Sequence, residues 1–320
     1  MSETLAGRVA TGDAIAVKAN LRPPPEPVQP GGFDFARAAW FDSLGATGYA
    51  VGRIELLSHA PEPPWDIRLW AAIDKLRTKV NVRIRAVLSG DPGEIAVALI
   101  TGERGGIPKE VTQAMRDSGL AHILAISGLH MAIVAGTVFW LTRALLALVP
   151  GLALRFPIRK WAAVTALVAA SFYLALSGAG VPTVRSWIMM SIVLLAVMLD
   201  RPTLTMRNVA LAALAILIVA PESLFHPSFD MSFAAVVALV ALFEWIPTRQ
   251  RNLAVDVSLA WRTLRYGFLI LGGTALTTLA ASLAIAPFAV YHFHRLTHFG
   301  LAANRSSRRS SACWSCPWRW

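Results

Sequence analysis

In this chain of 320 residues, the densest group of side chains able to do chemistry is His122 followed by Ser127-Gly128-Leu129-His130. In a helix, Ser127 and His130 lie three apart and share a face. A hydroxyl beside an imidazole is what a nucleophile and its general base require. That chemistry also needs an oxyanion hole and a base that reaches the serine oxygen, usually from another element. The other histidines in or beside the apolar runs, His226, His292, His294 and His298, fall near segment ends. A serine hydrolase built on Ser127 and His130 is therefore the lesser reading. In the structural alternative, Ser127 bonds the carbonyl one turn back and His130 satisfies a neighbouring helix. Gly128 gives local flexibility and lets helices approach closely.

Two further charged positions stand in apolar surroundings. Arg185 follows Pro182 just inside a hydrophobic run. It either snorkels to an interface or lines an aqueous path, where a guanidinium attracts phosphate through paired hydrogen bonds. Asp230 opens another apolar run, where a carboxylate complements a helix dipole and caps free amides. His292, His294 and His298 are spaced by two and four, with no flanking Cys or carboxylate. They read as helix-end histidines and not as a metal cluster. No catalytic residue, metal or cofactor is assigned.

The elements that hold these residues are set by composition. Hydrophobic residues make up 55% and charged residues 15% of the chain, and mean hydropathy is +0.54. Ordinary soluble domains carry about a quarter charged residues. Disorder and collagen-like repeats are excluded. The only cysteines, Cys313 and Cys316, give no disulfide framework. The composition is that of a multi-span membrane protein with a polar N-terminal third. Met1 to Asn20 lacks the pattern of a cleavable signal peptide.

Residues 1–60 carry short strand-like runs at Ala14–Val17 and Tyr49–Leu57, a proline-rich break at Pro23 to Pro27, and helical spacing over Phe33–Leu44. After a proline-rich linker, Trp70–Val87 has amphipathic period with many basic residues. It suits either the headgroup zone or packing on a neighbour. Spans are expected beyond Gly119 at Leu120–Val149, Trp161–Ala179, Thr183–Leu199, Thr203–Ala220, Phe229–Ile246 and Gly267–Tyr291. Each must supply about 20 apolar residues to cross ~30 Å of hydrocarbon. The fourth is the weakest, because Arg207 lies within it, and a half-span is an alternative.

Residues 1–119 hold 14 basic and 14 acidic residues, so the net charge of +11 belongs to the membrane part. Loops 150–160, 200–207 and 247–266 carry that surplus, while 180–182 and 221–228 carry no Lys or Arg. The alternation makes the basic loops cytoplasmic and places the N-terminal region on the opposite side.

The run Gly119-Leu120-Ala121-His122-Ile123-Leu124-Ala125-Ile126-Ser127-Gly128-Leu129-His130 resembles the signature of ComEC-type competence proteins. Gly102-Glu103-Arg104, Arg116-Asp117-Ser118-Gly119, Val184-Arg185-Ser186, Phe229-Asp230-Met231-Ser232-Phe233 and Pro287 to His292 resemble further segments in the same order. Pro30 to Arg37 resembles the end of the family's OB-like domain. Asp230 stands where the family has Gln, and Ser186 where Ala is usual. The likeness runs over roughly residues 14–304.

The resemblance implies a channel for single-stranded DNA in the inner membrane during natural transformation, working with other DNA-uptake components. The implied fold is mainly α. A polytopic transmembrane helical bundle of about six spans (120–304) follows a partial OB-like β domain (1–60) and a linking amphipathic region (61–119). His122, Ser127, Gly128, His130, Arg185, Asp230 and Ser232 become candidates for the DNA path. Gly102, Arg104, Asp117 and Gly119 become structural motif residues. Relative to the family, the chain is expected to be truncated at both ends, and it has no His-x-His-x-Asp-His run, so no enzyme activity is expected. Residues 305–320, rich in Arg, Ser and Trp, read as a frameshifted tail. A small-solute permease is the alternative of a different class, with the Ser127/His130 hydrolase behind it.

The loop charges generate a topology prediction. Fluorescent-protein fusions within 150–160 and 247–266 should fluoresce, and alkaline-phosphatase fusions within 221–228 should be active. The reverse pattern would invert the orientation.

Overall fold

The computed structural model describes residues 9–27, 34–57, 62–117, 126–245 and 259–293. His122, Gly119, His294, His298 and the 305–320 tail lie outside them. The chain forms two compact units, Met1–Gly93 and Glu94–Trp320.

In the first unit, four short strands pair antiparallel: β1 (Ile15–Ala16), β2 (Ala19–Arg22), β3 (Thr47–Ala50) and β4 (Glu55–Leu56). Ile15 pairs with Leu56, and Ala19 with Ala50. Lys18 and Val51 bridge the two ladders through one hydrogen bond of 2.8 Å. Helix α1 (Phe35–Phe41) lies between β2 and β3 and begins at Asp34, whose carboxylate accepts the Arg37 amide. Helix α2 (Trp65–Val87) is longer than the expected amphipathic stretch by one turn. Thr11 Oγ1 donates to Asp74 on this helix at 2.7 Å, fastening the chain start to it.

The second unit holds α3 (Asp91–Thr101), α4 (Lys109–Asp117), α5 (Gly128–Ala147), α6 (Pro150–Arg155), α7 (Ile158–Leu176), α8 (Val181–Met198), α9 (Met206–Val219), α10 (Pro227–Trp245) and α11 (Leu259–Phe293). A 3-10 turn, Pro221–Phe225, joins α9 to α10. Among the described residues, five helical segments are long and apolar enough to cross a membrane: α5, α7, α8, α10 and Gly272–His292 of α11. The mainly helical, multi-span architecture with small N-terminal strands follows the sequence reading, and the run expected to be the weakest span is the one that falls short. The run Thr203–Ala220 forms a helix of only 14 residues. At 1.5 Å per residue that is roughly 21 Å, short of a bilayer core. Thr205 caps it by accepting the Asn208 amide, and Asn208 Nδ2 binds the carbonyls of Pro202 and Thr203, so the helix cannot extend back through the loop.

Packing is closest around α7. Ala162, Ala163, Ala166 and Ala170 are fully buried. Small side chains let backbones approach where lipid provides no hydrophobic drive to associate. Ala170 and Tyr173 meet Ile126, Met131 and Ala135 beside α5, while Ala163 and Ala166 meet Leu194 and Val197 of α8. Trp187 Nε1 donates to Ser171 Oγ at 3.0 Å, and Thr165 Oγ1 to Thr142 Oγ1 at 3.1 Å. A separate cluster joins Ala212 and Ile216 of α9 to Phe229 and Phe233 of α10. At one end of the bundle, Lys160 Nζ lies 2.6 Å from the Asp200 carboxylate. The hydrogen bond from Lys160 holds that carboxyl below its ordinary range. Its small contribution is present at neutral pH and is lost as pH falls through the lowered folded value.

The α3–α7 junction sets the start of α5. Tyr173 donates to the Leu99 carbonyl at 3.1 Å. Gly102, just past α3, has φ +78°, and a Cβ there would come within 2.6 Å of the Ser177 carbonyl oxygen. Only glycine fits both demands. Gly102→Ala should therefore destabilise this unit by about 1–3 kcal/mol, read as a lowered Tm in detergent. An unchanged Tm would mean that the turn does not pack on Ser177.

Candidate functional site: a polar cluster at one end of the helical bundle

Successive helices α5, α7, α8, α9 and α10 reverse direction, α9 returning the chain although it is too short to span, so the N-termini of α5, α8 and α10 meet at one end. The contacts confirm this. A Cβ on Gly128 would lie 3.6 Å from Ser186 Oγ, bringing the starts of α5 and α8 together. Arg185 Nη1 donates to Ser228 Oγ at 2.8 Å, joining the starts of α8 and α10. His292 Nε2 lies 3.6 Å from Asp230 Oδ2, which brings the end of α11 to the same place. Each helix N-terminus exposes unbonded amides and a partial positive charge.

Ser127 and His130 occupy different roles from the shared helix face expected for them. The helix begins at Gly128, not Leu120, and Ser127 is its N-cap in an extended conformation. His130 is the third helical residue, and its Nδ1 accepts the Ser127 amide at 3.2 Å. The Ser127 hydroxyl is also 3.2 Å from that nitrogen. This is the geometry of a capping box with His in the place usually held by Glu or Gln. The two side chains are close, as a nucleophile and base would be, but the imidazole nitrogen facing the serine also holds a backbone amide. Ile126 and Met131, 3% and 0% exposed, anchor the cap from both sides in the core beside α7.

Arg185 is 4% exposed. The snorkelling expected as one alternative does not occur. Beyond its bond to Ser228, its Nε is buried without a hydrogen-bond partner, and among the described residues no carboxylate pairs with it. A guanidinium has five donors and cannot shed its charge. An isolated charge of this kind costs several kcal/mol until an anion meets it. Ser228 is oriented in turn. Its hydroxyl contacts His226 Nδ1, which also accepts the Ser228 amide at 3.3 Å. With the serine hydrogen directed at the imidazole, the oxygen lone pairs are left for Arg185.

The remaining sequence candidates fall into two groups. Ser186 lies at the cluster and bonds the Pro182 carbonyl one turn back at 2.8 Å. Asp230 is in the first turn of α10 and faces His292, while Ser232 is half-buried two residues further on. Gly102 supports the cluster from behind. Arg104 is exposed in the loop after it, and Asp117 ends α4. The sequence reading missed Ser228 and His226. The available signal was that Arg185 and the Phe229-Asp230 segment open spans running in the same direction, so their ends must meet. Below the cluster, a cavity of about 260 Å³ runs between α8, α9 and α10.

Comparison with known proteins follows the same segments. The profile of the competence protein family matches residues 99–306. ComE operon protein 3 of Bacillus subtilis is 23% identical over 299 residues, covering 92% of this chain and 34% of that protein. Competence protein ComA of Neisseria gonorrhoeae is 36% identical over 158 residues, covering 48% of this chain and 22% of that protein. Recombination protein 2 of Haemophilus influenzae is 27% identical over 218 residues, covering 68% and 26%. The chain thus spans about a third or less of the length of these relatives. No solved structure matches it.

Ser127→Ala should lower stability by about 0.5–2 kcal/mol, whereas Ser127→Asp, which also caps, should retain most of it. Thermal unfolding in detergent checks this. Equal loss in both variants would assign the hydroxyl a role other than capping.

Proposed function

The chain belongs to the competence protein family, and on that premise we propose that it forms part of a channel admitting single-stranded DNA through the inner membrane. The observation that carries the proposal is the buried, incompletely bonded Arg185 where three helix N-termini converge. A guanidinium supported by helix dipoles is suited to a phosphodiester, which accepts paired hydrogen bonds and needs no counter-cation there. Ser228, fixed by His226, holds the guanidinium in place. Ser127, Gly128 and His130 shape the neighbouring helix start so that α5 can approach α8.

The proposed orientation follows from loop charge. It puts the cluster on the extracytoplasmic side, where a strand would arrive, and the basic loops on the cytoplasmic side. The N-terminal strands and α1 would face the arriving strand, with Lys18 and Arg22 for phosphates and Tyr49 and Trp40, both exposed, for base stacking. Other uptake components would deliver the strand. A small-solute permease would need a polar pocket of its own, and the described cavity is apolar between its two ends.

The test is Arg185→Ala, made at the equivalent position of a full-length, transformation-competent relative. DNA entry should fall at least tenfold, the scale of a lost charged hydrogen bond of about 1.5–3 kcal/mol, with membrane insertion unchanged. Arg185→Lys should recover part of the activity because charge survives without the fork geometry. Unaltered uptake in the alanine variant would remove Arg185 from the DNA path.

A further inference from the structure

The cavity under the polar cluster follows α8 from Ser186 to Val193. One end is formed by Gly128 and Ser186, next to Arg185, and the other by Thr203, Thr205 and Asn208 in the loop and first turn leading into α9. Between these ends its wall is apolar, with Met190 and Val193 of α8 facing Phe233 and Val240 of α10 and Ala212 of α9. From Ser186 to Val193 is roughly 10 Å of helix. The crevice therefore joins polar groups at both ends of the bundle through an apolar waist. An apolar waist resists wetting, and hydrophobic constrictions close pores by excluding water.

We infer that the crevice between α8, α9 and α10 is the translocation passage in its closed state, with Val193, Phe233 and Val240 as the seal. The inference rests on the proposed channel function and adds the route. The wall that yields is α9. It is the shortest of the helices around the crevice, and non-helical segments flank it: the Asp200–Thr205 loop, with Asp200 at φ +55°, and the Pro221–Phe225 turn. Outward displacement of α9 widens the crevice without breaking the alanine-packed contacts of α7. A single strand suits such a passage, because its bases offer apolar faces to the waist while its phosphates are met at the two polar ends.

The experiment reconstitutes the full chain in liposomes and measures potassium leak without DNA. A polar side chain at the waist wets it, so Val193→Asn should raise leak several-fold, and Val193→Leu should stay tight. Val237→Asn is the control. Val237 is on α10, 41% exposed and away from the crevice, so its variant should not leak. A second measurement uses Val193→Cys with Cys313 and Cys316 changed to Ser. A small water-soluble thiol reagent should fail to label it in the resting protein and should label it once a single-stranded oligonucleotide is added. If folded Val193→Asn is as tight as the parent, the passage is elsewhere. If, in addition, Ala212→Trp expels a co-purifying phospholipid, the crevice is an acyl-chain site. The two readings fail separately. A tight Val193→Asn with a defective Arg185→Ala relative removes only the route, and a leaky Val193→Asn with unaltered uptake in that relative removes only the assignment of Arg185 to DNA.

Discussion

A charge that cannot be neutralised is held inside a lipid-embedded bundle, and the arrangement around it follows from that burden. Arginine keeps its proton at any physiological pH, and in a low-dielectric interior its field is little screened. Here the guanidinium is given one serine oxygen, and that serine is itself fixed by a histidine at the start of the next span. The positive ends of three helices converge on the same place and make the local potential more positive. Such an arrangement is unfavourable in the empty protein. A neutral side chain would avoid this cost, and the proposed anion path gives the charge a role that offsets it.

Much of this was legible from the sequence because membrane proteins obey few rules. Apolar runs separated by loops alternately with and without Lys or Arg gave the spans and their reversals, and those reversals, α9 included, bring the starts of α5, α8 and α10 to one end. What hydropathy could not show is where a helix begins. Residues before Ser127 are as apolar as those after it, so the run Leu120–Val149 looked continuous. The boundary is set by a side-chain-to-amide hydrogen bond at Ser127 and His130, a local geometry to which residue averages are blind. The same limitation left α9 open between a span and a half-span. Thr203 and Leu204 extend the apolar run, but Asn208 binds the loop carbonyls and Thr205 takes the cap.

Pair identities were the least legible. Arg185 stood out because charge in a span is costly, whereas Ser228 did not, since serine is common at helix starts. His292 was read as a helix-end histidine, which it is, yet it also faces Asp230 across two helices that are separated in sequence by an entire loop. No spacing rule reaches that far. Only the fold puts the two residues in contact.

The two halves of the bundle are built with different resistance to separation. Along α7 the neighbours meet through four fully buried alanines, so many backbone atoms touch over a short distance and any displacement opens empty space along the whole contact. Around α9 the contact is made by larger, rotatable side chains such as Met189, Ile192 and Phe233, which can repack as a helix shifts. Helix α9 also gives up less on moving, because its 14 residues cover only part of the bilayer core and its ends are already turns. The proposed opening would use this division. The alanine-packed side would hold the spans in register while the short helix gave way, and the Arg185 cluster straddles the boundary through its bond from α8 to α10.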